Sequence, residues 1–163
     1  MEAASDRAGI SRFIVQRFDE RYFEPTLTAP KRHGFTLLAI GCLVIETLEC
    51  FYQGLGDSNR ASRRCFRQFL TRPTGLEAFG HGPKDWFYDQ VRCGILHQAE
   101  VVGGWRILRK GPLLDMQQRT INARKFVDLL QLAVRDYAKQ LQTNDELWAN
   151  CCRKMITICS NCQ

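Results

Sequence analysis

Apolar residues recur every three or four positions along most of this chain, which is the spacing of one face of an α-helix. A first helix is predicted to end at Pro25 and to be followed by a loop over Thr26–Gly34. Its apolar positions are Ile10, Phe13, Ile14, Phe18 and Tyr22.

The second predicted helix has the broadest apolar stripe and ends at Gly54–Asp57. Glu46, Glu49 and Gln53 are expected to lie off this stripe. The stripe consists of Leu37, Leu38, Gly41, Val44, Ile45, Leu48, Phe51 and Tyr52.

A third helix, capped by Ser58 or Asn59, is predicted to run to Arg72-Pro73 and to precede a loop over Thr74–Pro83. Its inward positions are Ala61, Cys65, Phe66, Phe69 and Leu70.

A fourth helix is predicted from Lys84, with Phe87, Val91 and Ile95 on one face. The segment Val101–Leu108 has two apolar runs around Gly103-Gly104, the pattern of a short hairpin.

A long amphipathic helix follows a cap at Thr120 or Asn122, and a last helix begins at Asp145. The core positions of these two helices are Phe126, Leu129, Leu130, Ala133, Val134, Tyr137 and Leu141, then Trp148, Cys152, Met155 and Cys159. Residues 1–163 therefore form one domain, an all-α bundle of five or six helices with a possible short β-hairpin insertion.

Charge and hydropathy indicate a protein of the cytoplasm with an anionic partner. Met1–Gly9 lacks the pattern of an export signal, and the apolar run Phe35–Ile45 is closed by Glu46, too short for a membrane helix. The net charge of +6 and the pI of about 9.0 favour a nucleic acid as the partner.

The eight cysteines lie within apolar helical patterns, which favours buried thiols over disulfides. Cys152, Met155, Cys159 and Cys162 fall on one helical stripe beneath Trp148, as core residues do. Because a second Cys-x-x-Cys pair is missing, we expect no zinc site and no other cofactor.

Arg92 and His97, with four residues between them, are the candidate catalytic residues. On a regular helix their directions differ by roughly 140°, so the two converge only if the helix loosens near Gly94 or frays at His97. Asp89 or Glu46 would orient them. The alternative is structural: Arg92 pairs with Asp89 or Asp85 on the helix surface, and His97 is a hydrogen-bonded residue at the helix end.

This Arg-x4-His element lies between an apolar helix carrying Glu46 and a later amphipathic helix, an arrangement that resembles the HEPN family over roughly residues 12–141. The resemblance implies a metal-independent ribonuclease that works as a homodimer. His97 would then be the acid or base, and Arg92 would hold the scissile phosphate. Catalytic members usually have a polar residue after the arginine, where this chain has Cys93.

A basic stripe on the third helix is the candidate RNA-binding surface; a solvated charged face is the alternative. Its members are Arg60, Arg63, Arg64 and Arg67.

Three functions remain open. The first is an endoribonuclease that serves as a toxin or defence effector, with an antitoxin or a larger effector complex as further partner. The second, favoured by Cys93, is a non-catalytic HEPN-like module that binds RNA, a nucleotide or a protein. The third is a structural helical subunit, which predicts an exposed apolar patch.

Overall fold

The computed structural model describes residues 6–28 and 33–162, which form a helical bundle with a small β-sheet. This architecture confirms the predicted all-α fold with a short β insertion. The helices are α1 (Arg7–Phe18), α2 (Glu24–Leu27), α3 (Gly34–Gln53), α4 (Ser62–Phe69), α5 (Cys93–Gln98), α6 (Ala123–Gln140) and α7 (Asp145–Ser160).

Helix α3 is the centre of the bundle and packs against α4, α6 and α7, while α1 packs against α6. Gly54 ends α3 in the left-handed conformation, and its N–H donates to the carbonyl of Cys50. By length and composition α3 could cross a membrane, but most of its apolar side chains are buried among the neighbouring helices. It is therefore the core helix of the bundle.

The first helical segment continues past its predicted end. A π-helical turn at Asp19–Phe23 joins α1 to α2, and Pro25 lies in the first turn of α2, where its missing N–H removes no hydrogen bond. The prediction that Pro25 stops the helix is therefore wrong. Part of the predicted loop that follows, residues 29–32, lies outside the described residues.

The predicted cap of α4 is also wrong, because the helix begins at Ser62 after Ala61. The Ser58 hydroxyl instead donates to Glu46, and the Asn59 N–H donates to Asp57. The loop that follows α4 contains a 3₁₀ turn at Glu77–Gly80.

A cluster of aromatic rings fixes the chain after α4 to the core. Phe79 packs edge-on against Phe87 and Phe126, with ring centroids 5.1 and 5.0 Å apart. Trp86 and Trp105 stack with their centroids 4.2 Å apart. These contacts position the segment that leads into α5.

The β insertion has three strands: β1 (Arg106–Leu108), β2 (Leu114–Asp115) and β3 (Thr120–Asn122). Strand β3 lies in the middle, parallel to β1 and antiparallel to β2, with Arg106 opposite Thr120 and Leu114 opposite Ile121. The predicted hairpin around Gly103-Gly104 is therefore wrong, since β1 pairs with β3.

Val101 and Val102 form no strand because they pack against the helical segment before α5. Val101 is buried, and the Val102 N–H donates to the Gln90 carbonyl at 2.9 Å. Gly103 and Gly104 both have positive φ and turn the chain towards β1.

The last two helices begin as predicted. Asn122 and Asn144 accept hydrogen bonds from the backbone N–H groups of Lys125 and Leu147. The cysteine stripe of α7 is only partly correct, because Cys159 and Cys162 are exposed and Cys151 is the buried thiol. All eight cysteines lie within the described residues, and all are free thiols.

Candidate functional site

Arg92 is paired with Glu46 of α3 rather than with the acids of its own helix. The Arg92 Nε and Nη2 atoms lie 2.8 and 2.7 Å from Oε1 of Glu46. The side chains of Arg92 and Glu46 are 15% and 9% exposed. The proposed accessory role of Glu46 therefore has a direct contact behind it, whereas the surface pairing of Arg92 with Asp85 or Asp89 is wrong.

The prediction that Glu46 and Glu49 lie off the apolar stripe is wrong, because both are buried. Each carboxylate has an arginine partner: Arg72 donates to both oxygens of Glu49 at 2.7 Å. Buried carboxylates are tolerated when they are paired with cations and hydrogen-bonded. Alternation alone gave no signal for these pairs, because the partners lie 46 and 23 residues away in the chain.

Ser58 completes the surroundings of Glu46, and the sequence pattern did not identify it as part of this site. Its hydroxyl donates to Oε2 of Glu46 at 2.8 Å, while Arg92 occupies Oε1. Both carboxylate oxygens are thus satisfied, and the position of the Arg92 guanidinium is fixed. A serine near a helix start is more often a cap, which is why it was assigned that role.

The pKa of Arg92 reflects two opposing effects. Burial lowers it, but the hydrogen bond and the negative charge of Glu46 outweigh burial and raise the pKa above its usual range. Arg92 therefore stays charged at every pH at which the protein folds. The thiol of Cys42, also beside this pair, has a pKa raised by burial and stays protonated.

The helix does loosen, but before Arg92 rather than at Gly94. Phe87–Arg92 forms a π-helical turn, and Cys93–Gln98 is regular α-helix. The rotation of roughly 140° between Arg92 and His97 therefore holds within one chain. Arg92 turns towards α3, and His97 lies exposed on the last turn of α5.

Gly94 serves the packing of the chain that follows α5. It is buried, and a Cβ placed on it would lie 2.5 Å from the carbonyl oxygen of Glu100. Ala99 ends α5 in the left-handed conformation, with φ of 54°. Together Gly94 and Ala99 turn the chain back immediately after His97.

His97 has no side-chain hydrogen bond or ion pair among residues 6–28 and 33–162. The structural alternative, in which it is a hydrogen-bonded helix-end residue, therefore has no contact to support it. Its ring is free to meet a molecule from outside.

Asp89 contacts the basic stripe and not Arg92. Its carboxylate lies 2.7 Å from Arg63 Nη2. Asp85 is the other acid here: it accepts a 2.6 Å bond from Arg67 Nε and a second, short one from Nη2. The Arg67 and Arg63 guanidinium groups lower the pKa of Asp85 to about 2.

The four arginines of the predicted stripe are thus not equivalent. Arg63 and Arg67 of α4 are neutralised by acids, whereas Arg60 and Arg64 have no ion pair within the described part of the chain. Arg60 also lies before α4 with a positive φ, so it does not belong to the helical stripe. All four side chains are on exposed or half-exposed positions.

Tyr88 connects this basic surface to the Arg92–Glu46 pair. The guanidinium carbon of Arg63 lies 4.5 Å from the centre of its ring, and that of Arg92 lies 5.2 Å away. One aromatic ring therefore contacts both arginines.

Beside Arg92 the surface is apolar and nearly flat. Ala39, Leu43, Ile95 and Leu96 surround Arg92 and Glu46 at a cleft of about 10 Å³, which holds at most one water molecule. Leu43 and Leu96 are 41% and 50% exposed. A single chain thus offers no enclosed substrate pocket at Arg92.

No group of His, Cys, Asp and Glu side chains in residues 6–28 and 33–162 has the arrangement of a metal site. No protein-family model, no curated protein and no solved structure matches this chain.

Proposed function

We propose that this chain is a metal-independent endoribonuclease of HEPN type that acts as a homodimer in the cytoplasm, as a toxin or defence effector. An antitoxin or a larger effector complex would restrain or direct it. The observation that carries the proposal is the Arg92 guanidinium, fixed by Glu46 and Ser58 next to a helix end that presents an unpaired His97.

The chemistry suits these two side chains. When a ribose 2′-hydroxyl attacks the adjacent phosphate, one group takes its proton and another protonates the departing 5′-oxygen, which leaves a 2′,3′-cyclic phosphate. Histidine titrates near neutral pH and can do either. A permanently charged arginine stabilises the negative charge that grows on the phosphate oxygens.

Two copies of the chain satisfy the proton balance and the geometry together. One histidine cannot be base and acid in the same step, and within one chain Arg92 and His97 point in directions roughly 140° apart. A two-fold axis beside α5 would bring two copies of His97 together and let each face the Arg92 of the other copy.

The apolar surface around Arg92 supports a partner at this position. Leu43 and Leu96 are large, half-exposed side chains, and Phe35 lies eight residues before Leu43 on the same face of α3. A flat apolar surface that surrounds a buried ion pair is typical of the centre of an interface.

RNA as the substrate is supported by the charge of the chain. The net charge of +6 favours a polyanion, and Arg60 and Arg64 lack carboxylate partners among the described residues, so they are available to phosphates. Arg63 and Arg67 would contribute less because Asp85 and Asp89 offset their charge.

The test incubates purified protein with a labelled structured RNA in EDTA. We expect cleavage by the parent and none by the Arg92→Ala, His97→Ala double variant, checked for normal folding by circular dichroism. Arg72→Ala is the matched control, because it breaks the other arginine–glutamate pair of α3 and should leave cleavage intact. Cleavage by the double variant, or equal loss in the control, would overturn the assignment.

A second candidate is a non-catalytic HEPN-like module that binds RNA, a nucleotide or a protein. The regular α-helix from Cys93 to Gln98 favours it, because it keeps Arg92 and His97 of one chain apart. RNA binding without cleavage by any form of the protein would favour this module.

A further inference from the structure

The largest aromatic-lined cavity lies on the far side of Tyr88 from Arg92. It has a volume of about 540 Å³ and opens between α4, the 3₁₀ turn and the start of the π-helical turn. Phe66, Phe79, Phe87 and Tyr88 line it, and the first three are almost fully buried. Such walls suit a flat, unsaturated ring.

The mouth of this cavity carries hydrogen-bonding groups of both kinds. Arg67 and Lys84 are donors, Glu77 and Asp85 are acceptors, and the Thr71 hydroxyl can act as either. The two cations and two carboxylates balance, so the lining has no net charge to select an anion such as free phosphate. A neutral heterocycle with donors and acceptors on its edge fits better.

The backbone at the mouth is strained. Asp85 is not a glycine, yet it has φ of 61°, and the paired guanidinium groups of Arg63 and Arg67 hold its carboxylate. Strained residues of this kind cluster where a site must keep a fixed shape. Asp85 thereby fixes the position of Arg67 at the cavity mouth.

We propose that this cavity binds one unpaired base of a single-stranded RNA. The identity of the polymer rests on the proposed function, but the binding does not depend on cleavage. Tyr88 lines the cavity and also contacts the guanidinium groups of Arg63 and Arg92. A base held against Tyr88 would therefore direct its neighbouring phosphate towards these two arginines.

The experiment compares two trinucleotides that cannot be cleaved, since all their riboses are 2′-O-methylated. One carries three adenines, the other lacks the central base, and both carry a 3′-fluorescein for anisotropy titrations. We expect the parent to bind the complete trinucleotide at least about tenfold more tightly, since stacking of a base on aromatic side chains contributes this much or more. The backbone charge of the two probes is equal, so the ratio measures the base alone.

Variants place the effect in the cavity. Thr71 is exposed at the mouth, and Thr71→Trp should abolish the preference for the complete trinucleotide by filling the space; His81→Trp fills it from the opposite side. Thr143→Trp is the matched control, on the exposed turn between α6 and α7 and outside this cavity. It should keep the preference.

Equal affinity of the parent for the two probes, or an undiminished preference in both folded cavity variants, would overturn the proposal. Tighter binding of adenosine monophosphate than of the trinucleotide would overturn the assignment to RNA and point to a free nucleotide. The Arg92→Ala, His97→Ala variant should keep the preference, so loss of cleavage and loss of base binding are distinguishable.

Discussion

Arg92 and Glu46 lie 46 positions apart in the chain, and their side chains meet at 2.7 Å between the π-helical turn before α5 and the centre of α3. Glu46→Gln removes the charge that offsets the burial of Arg92. We expect the free energy of unfolding to fall by about 2 kcal/mol, below the range for fully buried pairs because Arg92 keeps some exposure. Urea denaturation measures it.

Glu49→Gln is the matched control, because Glu49 pairs with Arg72 on the same helix. It should cost a similar amount of stability without affecting cleavage. If Glu46→Gln left the unfolding free energy unchanged, the ion pair would not be what holds Arg92.

His97→Ala should separate stability from activity. The side chain is exposed and makes no contact with the described residues, so the free energy of unfolding should change by less than about 0.5 kcal/mol. Cleavage should fall by roughly a hundredfold or more, since proton transfer is lost. Undiminished cleavage would remove His97 from the mechanism.

Gly94→Ala should destabilise the protein because its Cβ would meet the Glu100 carbonyl at 2.5 Å. We expect a cost of about 2 kcal/mol, from the overpacking and the backbone shift. Gly111→Ala is the comparison: the space there is open, and only its φ of 90° opposes alanine. A smaller loss at Gly94 than at Gly111 would contradict the close approach.

Acid should weaken the contact between α4 and the segment before α5. The pKa of Asp85 in the folded chain is about 2, below its ordinary value of 3.8, so its stabilisation is complete above about pH 4 and is lost as the pH falls towards 2. We expect Asp85→Asn, which tolerates the same backbone conformation, to be less stable at pH 6 by about 1 kcal/mol. Thermal unfolding of parent and variant should converge near pH 2, and a constant difference would contradict this pKa.

Leu96→Glu should prevent dimerisation if the surface beside Arg92 is the interface. A carboxylate would be buried without a partner there, which costs several kcal/mol of association energy. Leu132→Glu, at an equally exposed leucine of α6, is the control and should leave the dimer intact. Sedimentation velocity gives both masses, and a dimeric Leu96→Glu protein would place the interface elsewhere.

Apolar spacing was sufficient to predict the helices that bury one face, from α3 to α7, because burial imposes that spacing directly. It did not predict the pairing of β1 with β3, since a parallel pair between short strands depends on the path of the chain around Gly103 and Gly104. The π-helical turns left no signal in the pattern either.

The residues of the site divide in the same way. Arg92 and His97 were recognisable from residue type and spacing, and Glu46 from its position on an apolar helix. Its contact with Ser58, and the burial of Glu49 by Arg72, depend on tertiary packing. A polar residue in an apolar stripe is the signal that could have indicated such a pair.

The most direct test of the central claim is the chemical nature of the ends that cleavage leaves. Structured RNA is treated with the parent protein in EDTA, and the fragments are analysed by mass spectrometry. Attack by the 2′-hydroxyl with His97 and Arg92 predicts 2′,3′-cyclic phosphate and 5′-hydroxyl ends, all lost in the Arg92→Ala, His97→Ala variant. Ends with 5′-phosphate and 3′-hydroxyl, or no fragments at all, would contradict the account.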